Sequence, residues 1–279
     1  VEVEMFRQRS WLTYSACTLS LVLGTTAHSA DQKKSKKPTT PASAAPASSA
    51  AIDPAKVDAK AVLEKAEAIR NPIDTYKVGV KLADIKEGKE TDVRTYESII
   101  KEGGKTRVNF IAPATEEGKR VLMIENDMWF FAPTTAKPIR IAPRQKIAGN
   151  AVYGDIAKLS FTNNYTTKVN RIEKVEGKDV IVLDLDSIEG KPVTYEKVEY
   201  WIEASSNKPL KAVYATRAGK QMRIGHFEKY EAVMGEQRPT QLRIESMIEK
   251  DRVSILSFSN QEKVNVPDQL FDKESLKSE

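Results

Sequence analysis

GKRVLMIENDMWFFAPTTAKPIRIAP, residues 118–143, decides the fold of this chain. It reads as two apolar strands, 121–124 and 128–132, joined by the turn-forming Glu125-Asn126-Asp127. A third strand follows at 139–142, and Pro133 and Pro138 punctuate the connection. Leu122, Ile124, Trp129 and Phe131 fall on one parity, and Val121, Met123, Met128 and Phe130 on the other. A strand that covers a core on one side only alternates with charge. These meet apolar material on both sides.

Working outward, alternation returns over 76–82, 92–100 and 106–112, with turns at Lys86-Glu87-Gly88 and Glu102-Gly103-Gly104. Beyond the central stretch, strands are expected at 169–175, 179–186, 194–203, 209–216, 221–230, 238–249 and 252–259. Short polar turns separate several of them, as antiparallel hairpins require. So many strands at this spacing predict a strongly curved sheet or a barrel, in a mainly β (α+β) chain. One N-terminal helix is expected from about Asp58 to Arg70, with Val62, Leu63, Ala66 and Ile69 in a stripe and Asn71-Pro72 as its stop. Residues 145–159, QKIAGNAVYGDIAKL, break the strand pattern and read as a loop carrying a short helix across the sheet, either a lid or a plain crossover. Near the end, Leu270 and Phe271 are expected to dock a final turn on the domain.

Three regions are expected. Residues 1–30 have the basic, apolar, small-residue order of a secretory signal, with Met5 as its start and cleavage within 27–30. Cys17 belongs to that leader; Tyr14 stands where a lipobox needs Leu, which disfavours lipidation. Residues 31–53, rich in Lys, Pro, Ala and Ser, form a flexible tether, because they cannot bury enough apolar surface to offset their ordering entropy. Residues 54–279 form the folded domain. A net charge of +5 carries little weight, since four lysines cluster at 33–37 and the others alternate with carboxylates. Export argues against nucleic acid as partner and makes the periplasm the expected location.

Catalytic candidates are few. Outside the leader the only histidine is His226, on a strand with no nucleophile-elbow pattern near any serine. It reads as a sheet-surface or core residue. With no cysteine left after the leader, no metal site or disulfide is expected. Asp184 and Asp186 alternate with Leu183 and Leu185 and read as the wet side of a half-buried strand. No catalytic residue and no cofactor is expected. The remaining signal is aromatic: Trp129, Phe130, Phe131, Tyr200, Trp201, Tyr214 and Phe227 fall on neighbouring strands, as a core or as the wall of an apolar cavity that one helix and one loop leave unfilled.

At these residues the chain resembles the outer-membrane lipoprotein-sorting protein family, relatives of the LolA and LolB carriers. The resemblance runs through MWFFAP at 128–133, the strand Ile139-Arg140-Ile141, GDIAKL at 154–159, YEKVEYWI at 195–202 with Pro209-Leu210-Lys211, and Ser257-Phe258-Ser259 before Val266-Pro267. It implies an unclosed, strongly curved antiparallel β-barrel whose concave face carries an N-terminal helix and a lid-like helix or loop. It also implies lipid or lipoprotein acyl chains as ligand, carried toward the outer membrane, with an envelope transporter or outer-membrane acceptor as partner and transient membrane-surface contact. The alternative expectation is a non-enzymatic docking scaffold on an envelope lipid transporter. Strand parity nominates Leu122, Ile124, Trp129, Phe131, Tyr200, Ile202 and Val213 as the lipid-binding wall. Arg94, Arg107 and Arg140 are equal candidates for an arginine that holds the lid.

Overall fold

A computed structural model describes residues 52–72, 74–158 and 160–277. The expected leader and nearly all of the expected tether lie outside these residues. The unit that starts at residue 50 is compact in itself. It opens with helix α1 (Ala59–Arg70). The Asp58 carboxylate caps α1, accepting from the backbone N–H of Lys60 and Ala61 at 3.0 Å each.

Six strands follow in hairpin succession: β1 (Tyr76–Lys86), β2 (Lys89–Lys101), β3 (Lys105–Ala112), β4 (Arg120–Ile124), β5 (Asp127–Phe131) and β6 (Ile139–Ile141). The short hairpin β7 (Lys146–Ala148) and β8 (Ala151–Val152) comes next, then the one-turn helix α2 (Tyr153–Ile156). The second meander is β9 (Tyr165–Val175), β10 (Lys178–Ser187), β11 (Lys197–Glu203), β12 (Pro209–Ala215), β13 (Gln221–Val233), β14 (Glu236–Ser246) and β15 (Arg252–Lys263). The last strand, β15, returns to pair antiparallel with β1, Val80 opposite Phe258, and joins the two meanders into one 13-stranded sheet ordered 6-5-4-3-2-1-15-14-13-12-11-10-9. The sheet is antiparallel throughout and leaves β6 and β9 as free edges, so it is not closed into a barrel.

The turns explain why hairpins form where they do. At β9–β10 the two-residue turn Glu176-Gly177 has φ of 51° and 80°, the left-handed pair that matches strand twist. Expected β11 starts at Lys197 instead of 194, because Thr194 and Tyr195 belong to the preceding loop. Expected β14 ends at Ser246, whose hydroxyl accepts the N–H groups of Ile248 and Glu249 at 3.2 and 2.9 Å and turns the chain.

Both faces of the central stretch are apolar, as its parity requires. Val121, Met123 and Met128 join the main cluster on the concave side. Leu122 and Phe131 pack with Phe271 and Leu276 on the convex side, where Ile99, Ile124, Trp129 and Leu270 complete the patch. Two short 3-10 helices (Asp268–Phe271 and Lys273–Leu276) carry that cover. They are strapped down by guanidinium groups: Arg107 donates to the carbonyls of Leu270 and Ser275 at 3.3 and 3.0 Å, and Arg120 to that of Leu276 at 2.9 Å. Phe271 is 2% exposed. Phe271→Ala is therefore expected to cost about 3–5 kcal/mol in chemical unfolding, the range for a buried Phe truncated without collapse of its site. A cost under 1 kcal/mol would show that the strap is not part of the cooperative unit.

Candidate functional site

The concave face presents one continuous apolar surface. Tyr76, Val78, Val80 and Leu82 of β1, Tyr96 of β2, Val108 and Phe110 of β3, Tyr200 and Ile202 of β11, and Leu256 of β15 are all buried in it. What buries them is a roof, not a second sheet. Leu63 and Ala66 of α1, and Ala148, Ala151, Val152, Ile156, Ala157 and Phe161 of the segment 142–165, close over the sheet. The expected unfilled hollow is thus occupied by the chain's own side chains.

Polar pins hold the roof, and each falls on a strand position whose neighbours point inward. Asp84, in line with Leu82, is 1% exposed; it accepts from Arg252 at 2.9 Å, Ser254 at 3.0 Å and Thr91 at 3.1 Å. Ser254 in turn accepts the N–H of Asn150 at 2.7 Å, and the Asn150 side-chain amide donates to the Arg252 carbonyl at 3.0 Å. The roof hairpin tip therefore docks on β1 and β15. Thr106 donates to the Ala157 carbonyl at 3.1 Å, and Ser98 makes a longer bond of 3.4 Å to that of Ile156. These are the orphan carbonyls at the end of α2, satisfied by the sheet. Tyr195 donates its hydroxyl to Asp155 at 3.1 Å, while burial pushes the Asp155 carboxyl above its ordinary range.

Helix α1 is tied in through Glu67. Its carboxylate accepts from Arg70 at 2.8 Å, Asn71 at 2.6 Å and the Phe161 N–H at 2.9 Å. The Arg70 guanidinium lies over the Phe161 ring at 4.2 Å. Arg238 of β14 donates to the Ala68 and Ile69 carbonyls at 2.6 and 2.9 Å, a cation placed on the negative end of the helix. Lys158, after α2 in the roof, has φ of 55°, its ammonium 4.6 Å from the Phe258 ring centre and 5.5 Å from that of Tyr76. No carboxylate forms an ion pair with it among the described residues. Burial, with Arg70 and Arg238 nearby, pulls its pKa down to about 7. The hydroxyls of Tyr76, Tyr96 and Tyr200 are also buried without a hydrogen-bond partner in the described protein.

The nominated wall divides among three places. Tyr200 and Ile202 lie in the concave cluster. Leu122, Ile124, Trp129 and Phe131 face the other way, under the C-terminal strap. Val213 belongs to a second convex cluster with Val180, Val182 and Trp201, where Lys211 covers the indole at 3.9 Å. Parity shows that two faces differ but not which one is concave; residues 268–276 supply the apolar partner that made the convex face look like a cavity. Of the aromatic set, Phe130, Tyr200, Tyr214 and Phe227 face the roof, and Trp129, Phe131 and Trp201 do not.

None of the three nominated arginines contacts the roof in the bonds described. Arg94 pairs with Asp92 at 2.9 Å and Glu116 at 3.5 Å, Arg107 holds the strap, and Arg140 pairs with Asp127. Arg238 and Arg70 do the holding instead. The sequence carried a signal for the other pins: Asp84, Ser98, Thr106 and Ser254 are short polar residues on the inward parity of otherwise apolar stripes, where a buried polar group needs a partner.

His226 is half-buried on the sheet beside Glu245 at 3.6 Å, and burial followed by Arg243 lowers its pKa. Asp184 accepts from Asn170 at 2.8 Å on the outer face.

Where the roof crosses between the free edges, Asn126 of the β4–β5 turn donates to Asn164 at 2.5 Å. Two clefts open along this seam. One of about 750 Å³ runs beside Glu67, Lys158 and Asn164, and one of about 490 Å³ lies beneath Arg144; Gly190, Lys191 and Pro192 line both.

A family model described as "uncharacterized protein" matches residues 102–278. The curated proteins contain no match to the chain. Among solved structures, a LolA superfamily protein from Nitrosomonas europaea is 32% identical, with a TM-score of 0.74, covering 78% of this chain and 99% of that one. A DUF1329 family protein from Desulfovibrio piger is 20% identical with a TM-score of 0.67, over 78% of this chain and 97% of that one. A putative outer membrane lipoprotein-sorting protein domain from Vibrio parahaemolyticus is 18% identical with a TM-score of 0.66, over 78% and 98%. The last two share the fold with this chain.

Proposed function

Because this chain belongs to the LolA superfamily, we propose that it is a non-enzymatic periplasmic carrier of lipid or lipoprotein acyl chains, which lie against the concave face after the roof gives way. The observation that carries the reading is the roof itself: an apolar sheet face covered by one helix and one connecting segment held through discrete polar pins. Tyr200 and Ile202 remain in the proposed wall, joined by Tyr76, Tyr96 and Phe110. Transfer toward the outer membrane is the direction the relatives' sorting role suggests.

Magnitudes favour an exchange. Burying an acyl chain of about sixteen carbons is worth roughly 12 kcal/mol gross at ~0.8 kcal/mol per methylene. Undocking Val152, Ile156 and Phe161 gives up about 1.5–3 kcal/mol each, and each broken pin about 0.5–1.5 kcal/mol net. Those losses sum to the same order. Cargo and roof therefore compete for one surface near balance, which suits reversible loading and release better than an open pocket that would bind without letting go.

Competition fixes the sign of an unusual test. Ile156→Ala weakens the roof's grip, so a fluorescent fatty acid should bind it about tenfold or more tightly than the wild type, given the 2–5 kcal/mol typical of such truncations. Phe131→Ala, on the convex side, should leave the affinity within about twofold, since it touches neither competitor. If neither protein takes up the probe, the interior is a plain core and the scaffold reading, which a filled interior also fits, replaces the carrier.

A further inference from the structure

The smaller seam cleft is lined by more cations than carboxylates. It lies between the turn after β6, the loop from β10 to β11, and the adjoining ends of β12 and β13. Arg144, Lys191, Arg217 and Arg223 line it against one lining carboxylate, Glu196. That carboxylate is already engaged, accepting the Arg217 backbone N–H at 2.7 Å. Arg223 is oriented from below: its guanidinium donates to the Tyr195 hydroxyl at 3.3 Å, and the Tyr195 ring is stacked on Tyr214 at 4.0 Å. Asp155 lies behind that hydroxyl and partly offsets the Arg223 charge. The exposed side chains of Arg144 and Arg217 make no ion pair among the described residues. Three arginines line a volume of about 490 Å³, and two of them keep their hydrogen-bonding forks unspent among the described residues.

Apolar side chains stand exposed around the same rim. In the turn after β14, Met247 and Ile248 are 48% and 55% exposed. The Met247 N–H donates at 2.9 Å to the carbonyl of Met222, which lines the cleft. Ile188, 36% exposed, leads the β10–β11 loop into the cleft wall. Uncompensated cations beside protruding aliphatic tips match the chemistry of an anionic bilayer surface, phosphate outside and hydrocarbon beneath.

We infer that this rim docks on anionic phospholipid, with the headgroup phosphate seated in the cleft between Arg144, Arg217 and Arg223 and with Met247 and Ile248 dipping into the interfacial layer. One wall of the cleft, Ala142 to Arg144, is the start of the roof, so vesicle binding is measured on the closed protein without fatty acid and is read apart from acyl uptake. The phosphate would take bidentate hydrogen bonds from the two unpaired arginines. Contacts of this kind weaken with salt.

Flotation of the compact unit from residue 50 tests this without the apolar leader, which would bind membranes by itself. Vesicles of phosphatidylcholine with phosphatidylglycerol should carry the unit up the gradient at low salt, and vesicles of phosphatidylcholine alone should not. Arg144→Glu/Arg217→Glu, at exposed positions that leave the melting curve unchanged, should weaken vesicle binding roughly thirtyfold or more at ~1 kcal/mol per lost cation. Met247→Asp should also weaken it while preserving its salt dependence. Unchanged binding in either variant overturns the inference. So does failure to float with phosphatidylglycerol, even if calorimetry shows soluble glycerol phosphate binding to the same arginines, since the cleft would then serve a free phosphate.

Discussion

Gly149→Val is expected to detach the roof hairpin from the sheet while leaving the sheet folded. Gly149 has φ of +51°, and a Cβ built there would sit 2.1 Å from the Asp84 Oδ1 and 2.5 Å from the Ser254 hydroxyl. Neither neighbour can yield, because Asp84 is fixed by Arg252, Ser254 and Thr91. The tip must therefore leave, losing both hydrogen bonds of Asn150. Two lost bonds at about 1 kcal/mol each, plus backbone strain of ~1–3 kcal/mol, amount to several kcal/mol on the docking equilibrium. The readouts are rapid proteolysis within residues 144–150, a strong rise in binding of an apolar dye, and far-ultraviolet dichroism close to wild type. Loss of the sheet signal together with the roof would mean that the two form one cooperative unit, and no separable lid exists.

Lys158→Met should act in the opposite direction, stabilising the closed form and weakening acyl uptake. Lys158 has a folded pKa of about 7 against an ordinary 10.5, so between those values the unfolded chain binds more protons and stability from this group rises with pH. Below pH 7 the full penalty is present; above 10.5 it is gone. Methionine, one heavy atom shorter, keeps an unbranched apolar stem and a thioether that can pack near the Tyr76 and Phe258 rings but removes the ammonium that now lies over them. Lys158 borders the larger cleft, where water offsets part of the burial cost, so the melting temperature at pH 6 should rise by about 2–4 °C, as for ~1 kcal/mol in a domain of this size. The wild-type slope of stability between pH 7 and 10.5 should flatten. A variant less stable than wild type at pH 6 would show that the ring contacts outweigh the burial penalty. The same substitution should loosen fatty-acid binding, because a better-settled roof competes harder.

The strands could be read because turn chemistry and alternation are local: Glu176-Gly177 fixes a hairpin by itself, and Asp58 announces α1. The sense of each face could not. Leu122 and Met123 are equally apolar neighbours, and only the strap at 268–276, far along the chain, determines that Leu122 faces outward. The roof pins were half-legible. Ser98, Thr106 and Ser254 stand out on inward parities, but their partners at 150–157 follow from the fold. Arg238 and Arg70 gave no local sign, because their roles arise where β14 and residue 161 meet the helix. The filled interior was illegible for a related reason: whether one helix and one loop suffice to cover a sheet depends on its curvature, which no short window encodes.

Hydrogen exchange of the wild-type unit, with and without saturating oleate, tests the competition between cargo and roof most directly. Amides of residues 145–158 should lose protection about tenfold or more on binding, with β1, β2 and β15 unchanged. Oleate that binds while those amides keep or gain protection would contradict it.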